Sequence, residues 1–133
     1  MIKSTDVQSI IAFFRDAQEE YDMMLTEQQL CEGQQQDILH DFELIDHSHN
    51  ECGHLGKELS KVRRRRRTAK NQSELLQPLH EWINNNEKAI NLLQRVLGDM
   101  RKIETNQKNR IYRRKADGKG EVIEPRERVD HGH

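Results

Sequence analysis

Residues 61–79 read KVRRRRRTAKNQSELLQPL, five consecutive arginines running into an apolar patch and a proline. Whether this run is helical decides how the rest of the chain is organised. Leu59, Val62, Arg66, Ala69, Ser73 and Leu76 recur across it at three- and four-residue spacing. That spacing carries one helical seam through the arginines and leaves Arg63, Arg64 and Arg67 on other faces. Gln77-Pro78 then predicts a break or kink, because proline lacks the N–H that an interior helical position donates. Pro78 suits the first turn of a new helix instead.

Upstream, Thr5-Asp6-Val7-Gln8 reads as a helix start, a hydroxyl cap followed three residues later by Gln. From there two seam rows hold for many turns. One is Val7, Phe14, Tyr21, Gln28, Gln35, Phe42 and His49; the other is Ile10, Ala17, Met24, Cys31, Ile38, Ile45, Cys52 and Leu59. Their alternation is the heptad pattern of packed helices. Ile11, Leu25 and Leu39 widen the stripe, so more than two helices should meet there. The polar seam positions Gln28, Gln35 and His49 suit the setting of register or oligomer state. Gly33, and Gly53 with Gly56, are the two candidate breaks in this arm.

Downstream of Pro78 one row reads Leu76, Ile83, Ile90 and Leu97, and another Leu79, Asn86, Leu93, Met100 and Gln107. A third, Leu75, Trp82, Ala89, Val96 and Ile103, lies beside them. Such a broad apolar face belongs to a bundle member. Asn84-Asn85-Asn86 is a poor helical stretch, which points to local capping or ligand contact. Past 107–109, residues 111–115 and 121–124 flank Asp117-Gly118 and Gly120 and predict a small β-hairpin. Residues 126–133 read as a frayed tail.

The fold expected is mainly α: one domain of long heptad-patterned helices in an elongated bundle, with a small C-terminal hairpin. Its parts are an acidic helical arm (5–60), a basic helical segment (61–109) and the hairpin (110–125). Only 33% of residues are hydrophobic and 34% are charged, so a thin assembly that buries stripes, completed by oligomerisation, fits better than a compact globule.

Charge is sharply segregated. Residues 1–60 carry a net −10, 61–119 a net +11 and 120–133 a net −2. The two halves therefore suit facing one another, within a chain or between chains. The acidic arm also disfavours general nucleic-acid binding, because it repels phosphates. Cys31 and Cys52 fit no disulfide framework, which points to a reducing, cytoplasmic compartment. No apolar run is long enough for a membrane span, and no signal peptide is visible.

His47, His49, His54 and Cys52 fall within eight residues and raise the question of a metal site. His47 and Cys52 diverge on a helix, and His49 and Cys52 already fit the seam, so packing is the reading preferred and no metal is assigned. No Walker loop, GxSxG, HExxH or CxxC is present, which argues against an enzyme. Arginine forks in 63–67 and 110–115, with a single Trp82 in an Asn-rich setting, suit a small nucleotide: phosphates to arginine, base to the indole, polar edges to amides. They also suit RNA.

The order of a helical arm, then GKELSKVRRRRRTAKNQSELLQPL, NNNEKAINLLQRVLGDMRK and NRIYRRK, resembles phage-encoded anti-Thoeris sponge proteins. The resemblance spans about residues 5–115. It implies a small helical homo-oligomer, a dimer or multiple of dimers, acting in the host bacterial cytoplasm without a cofactor. Such a protein sequesters a cyclic ADP-ribose isomer made by TIR-domain immune enzymes and does not cleave it. Some members also hold cyclic oligonucleotides at separate sites.

The family's aromatic, amide and arginine pattern maps onto Trp82, Asn91, Arg110 and Arg113, with Asn86 the other amide candidate. The aromatic there is commonly Phe. Arg63, Arg64 and Arg67 would form a secondary anion site. The alternative is a coiled-coil interaction protein whose basic stretch binds RNA or DNA.

Overall fold

The computed structural model describes residues 1–44 and 46–119. They form three helices, α1 (Ser4–Leu44), α2 (His49–Asn85) and α3 (Glu87–Lys119), with no strand among the described residues. The mainly helical reading, with bundle character, agrees with this. The chain divides into two compact units, one of Phe14–Asn85 and one that joins Met1–Phe13 to α3.

In the Phe14–Asn85 unit, α1 and α2 run antiparallel. Ala17, Cys31 and Ile38 of the predicted seam are buried, and so are Val62, Ala69, Ser73 and Ile83. Cys31, Ile38 and Val62 form one cluster with Leu55 and Leu59 packed on it. The other unit buries Ile11, Ile90 and Leu97. Among the described residues, an aliphatic that the heptad rule put at the pairing line is buried or half-buried, apart from Ile10. That side chain is half exposed, and its neighbour Ile11 is buried instead. Leu75, Trp82, Val96 and Ile103 of the third row are exposed, so that row is surface.

The helix ends correct several expectations. None of Gly33, Gly53 and Gly56 is a turn; each lies inside a helix, with nothing within 4 Å of the place a Cβ would take. The connection instead precedes His49, where Ser48 and Glu51 close a capping box. The Ser48 N–H donates to Glu51 Oε1 at 2.8 Å, and the Glu51 N–H donates to Ser48 Oγ at 3.2 Å. Those bonds, the backbone one foremost, hold the Glu51 carboxyl below its usual range. Pro78 does not end a helix either; α2 runs through it to Asn85. The break falls at Asn86, whose carbonyl accepts the Ile90 N–H at 3.1 Å, the first bond of the next helix. Asparagine suits that boundary because it tolerates non-helical backbone and caps well.

At the start, α1 begins at Ser4, one residue before the expected Thr5 cap. The Ser4 N–H and hydroxyl both donate to the Glu104 carboxylate of α3, at 2.9 and 2.6 Å. A residue one hundred positions away therefore caps the helix. These bonds, with Lys3 and Arg101 nearby, hold the Glu104 carboxyl below its usual range. The first arm expected of the hairpin, 111–115, is helical within α3, and so are Asp117 and Gly118. The second arm, 121–124, and the tail lie outside the described residues.

Candidate functional site

The five arginines of α2 divide by helical position. Arg65 reaches across to α1: its Nε and Nη2 donate to Glu27 Oε2 at 3.1 and 3.0 Å, and its Nη1 donates to Gln34 Oε1 at 3.4 Å. The hydrogen bonds it donates to Glu27, foremost, raise the Arg65 pKa above its ordinary value. Arg66 Nε donates to Glu32 Oε2 at 3.0 Å. These two answer the acidic arm, as the charge segregation predicted, and so serve the pairing of α1 with α2.

Arg63, Arg64 and Arg67 stand on another face with Gly56, Leu59 and Ser60, around an open depression of about 250 Å³. All three are exposed, and none has an acidic partner among the described residues. Arg64 Nε donates back to the Ser60 carbonyl at 3.4 Å, which steers the guanidinium along the helix. Gly56 and Ser60 keep the floor low. Three cations over a small-residue floor can hold an anion such as a phosphate, since guanidinium forks match its oxygens in pairs.

Trp82, in the Phe14–Asn85 unit, is 46% exposed, and its ring centroid lies 5.5 Å from that of Phe14, tilted by 35°. One part of the indole is thus packed and another is open. Nearby on the same helix His80 stacks on Tyr21 at 4.1 Å, and Asn84 bonds both His80 Nε2 and Gln18. The sequence had marked Trp82 and, within Asn84-Asn85-Asn86, Asn84; His80 was not read, and its spacing to Asn84, one turn apart, was its only signal.

Asn91 and Arg110 are both exposed on α3. Nineteen residues of one helix separate them, roughly 28 Å at 1.5 Å per residue, more than one small nucleotide spans. The two therefore do not meet within a chain. Asn86 is taken up at the helix boundary. The backbone places Arg113 one turn beyond Arg110. A further polar depression of about 320 Å³ lies along α3 at Arg101, Lys102, Thr105, Asn106 and Asn109. Asn109 Oδ1 is buried there and has no hydrogen-bond partner among the described residues. The repeat of 101, 105 and 109 at one-turn spacing is the sequence signal that marks this face.

The histidine and cysteine group is dispersed. His47 Nε2 lies 3.1 Å from the Asp41 carbonyl oxygen, and Nδ1 lies 4.0 Å from Glu51. Among the described residues no group of three or more His, Cys, Asp or Glu side chains is arranged to hold a metal ion. Among them, too, no helix is long and apolar enough to cross a membrane. In comparisons with known proteins the chain matches no family model, no curated protein and no solved structure.

Proposed function

We propose that the protein is a non-enzymatic binder that sequesters a phosphorylated small molecule. In line with the resemblance to anti-Thoeris sponges, the ligand is a cyclic ADP-ribose isomer, and its removal blocks a bacterial TIR-domain defence from the host cytoplasm. The observation that supports this reading is the split of the arginine run. Two arginines are consumed by acidic partners, and three are left together over a small-residue floor.

In the proposed mechanism Trp82 stacks on adenine, and arginines neutralise the phosphates. Because Asn91 and Arg110 stand so far apart on one helix, a pocket that uses both takes them from two chains, so the working form is a homo-oligomer. No bond is broken; depletion alone silences the signal. For that, affinity must be on the order of nanomolar, about −12 kcal/mol.

Calorimetric titration with cyclic ADP-ribose isomers tests the proposal, with recovery of intact ligand after heat denaturation. Binding should be stoichiometric and fall at least about fivefold in Trp82→Ala, since removing an aromatic plate from beneath a base weakens binding by roughly 1–3 kcal/mol. Absence of heat with every isomer would sink it.

The second reading, nucleic-acid binding through the coiled coil's basic stretch, draws on the same uncovered face of Arg63, Arg64 and Arg67. It predicts affinity that falls steeply with salt, in proportion to the phosphates contacted. Cyclic oligonucleotides at this face are the corresponding prediction of the sponge reading, and they would be displaced by one another but not by long duplexes.

A further inference from the structure

The depression along α3 at Arg101, Lys102, Thr105, Asn106 and Asn109 lies wholly within one unit, and the proposed function makes no use of it. Residues 101, 105 and 109 follow one another at one-turn steps, with 102 and 106 beside them, so the five form one strip. Its two ends differ. Arg101 and Lys102 set two cations side by side, with the half-buried Thr105 hydroxyl one turn on. Arg101 Nη2 donates to Gln8 Oε1 at 2.7 Å, a bond to a neutral amide that holds the guanidinium without cancelling its charge. The nearby Glu104 carboxylate feels that charge, but both of its oxygens already accept from Ser4. Lys102 is exposed and has no acidic partner among the described residues.

At the other end Asn109 Oδ1 is buried and unbonded among the described residues. An amide oxygen in that state is unfavourable, so it gains from any donor brought to it. Asn109 as a whole is only half buried, and its amide turns about a soft torsion. Turning Oδ1 into the depression costs it no hydrogen bond among the described residues. We propose that this strip binds a small phosphomonoester that also carries a hydroxyl, as a sugar phosphate does. A monoester holds about two negative charges at neutral pH, which the two cations match, and guanidinium and ammonium donors suit its oxygens. The Thr105 hydroxyl donates to a further phosphate oxygen, and a sugar hydroxyl donates to Asn109 Oδ1. Phosphate and ring hydroxyls of a pentose phosphate lie on the order of one helical turn apart, as Thr105 and Asn109 do. A volume of about 320 Å³ is at the small end for ligand sites and suits one sugar. A cyclic diphosphate has no terminal monoester, so the ligand class differs from the one proposed above.

Amide chemical shifts of the full isotope-labelled chain test this, with ribose 5-phosphate, methyl phosphate and AMP as probes. Ribose 5-phosphate should shift the signals of Thr105, Asn106 and Asn109 saturably. Methyl phosphate has the charge without the hydroxyls and should bind about fivefold more weakly, the loss of one neutral hydrogen bond. Asn109→Leu should erase that difference and leave methyl phosphate binding as it was. Lys102→Gln, at an exposed position, should weaken both about threefold. Trp82→Ala should change neither. Tighter binding of AMP than of ribose 5-phosphate would mean that the monoester arrives on a nucleotide, and equal or weaker binding that it arrives on a free sugar; both support the shared chemistry.

No saturable shift along 101–109 with ribose 5-phosphate overturns the proposal. Methyl phosphate binding as tightly as ribose 5-phosphate overturns it too, since Asn109 then has no role. Loss of the shifts in Arg63→Gln with Arg67→Gln would place the anion on α2, which is a third way for it to fail. Failure here leaves the sequestration reading standing, and absence of heat with cyclic ADP-ribose isomers leaves this site standing.

Discussion

Between Phe14 and Asn85 the helix seam mixes Ile38, Val62 and Ile83 with small or weakly polar side chains, Ala17, Cys31, Ala69 and Ser73. Cross-helix bonds flank it: Arg65 to Glu27, Arg66 to Glu32 and Gln72 to Glu20. In the unit of Met1–Phe13 and α3, Ile11, Ile90 and Leu97 are buried, while Ser4 bonds across to Glu104 and Arg101 to Gln8. Charge segregation along the chain therefore has its structural use in one unit, where an acidic helix meets a basic one. The other unit relies on aliphatic burial. Arg63, Arg64 and Arg67, which that pairing does not consume, have no acidic partner among the described residues.

The largest expected effect separates the two chemistries. Ile90 is 1% exposed, and truncating it removes a branched side chain from a seam of few aliphatics. Ile90→Ala should destabilise by about 3 kcal/mol, transfer and cavity together. Arg66→Met replaces a half-exposed guanidinium with an apolar chain and should change stability by less than about 1 kcal/mol, because partly solvated ion pairs contribute little net. Urea denaturation of both variants checks the contrast. A larger loss from Arg66→Met than from Ile90→Ala would reverse the assignment of what holds each unit.

The heptad register made the inside of the fold legible: Ala17, Cys31, Ile38, Val62, Ala69, Ile83, Ile90 and Leu97 all sit on rows read from spacing alone, and all are buried. The connections were less legible, for a physical reason. Glycine in a helix costs only about 1 kcal/mol against alanine, which tertiary packing can absorb, so Gly33, Gly53 and Gly56 are tolerated. Pro78 removes a single backbone donor, and α2 still continues through it. The boundaries fall instead where Ser48 and Glu51 cap the start of α2 and at Asn86, between α2 and α3. The Ser-x-x-Glu signature at 48–51 was present in the sequence. The cap of α1 was not, because its acceptor, Glu104, comes from another helix.

The basic candidates divide in the same way. Spacing showed that the arginines are helical but not which would find acids, since that depends on the register between α1 and α2. Two of the five fell opposite Glu27 and Glu32. The distance from Asn91 to Arg110 follows from α3 being unbroken between them, whereas the sequence reading ended that helix at 107–109 and put Arg110 in the hairpin segment.

Acid should act next, and at helix ends in both units. The carboxyls of Glu104 and Glu51 are held below the usual 4.5 by the N–H and hydroxyl groups they accept from. A carboxyl whose folded pKa is depressed contributes stability that is present above 4.5 and lost as pH falls through the lowered value. Amide exchange at the first turn of α1 should therefore accelerate, relative to its own intrinsic rate, as pH drops below 4.5. Glu104→Gln should remove most of that pH dependence at α1 and leave it at α2. Equal acceleration in the variant would place the cap elsewhere.

The smallest effect tests whether the contrast lies in the seams alone. Gly33 in α1 and Gly98 in α3 belong to different units, and a Cβ at either meets nothing within 4 Å. Alanine at each should stabilise by about 0.5–1 kcal/mol, because it restricts the unfolded chain and touches no seam. The gain should be equal in the two units, since backbone entropy does not depend on whether charges or aliphatics hold the helices together. A gain at Gly98 with a loss at Gly33 would mean that the acidic helix uses Gly33 for a close approach in the assembled protein, and the charged seam would then extend to a partner chain.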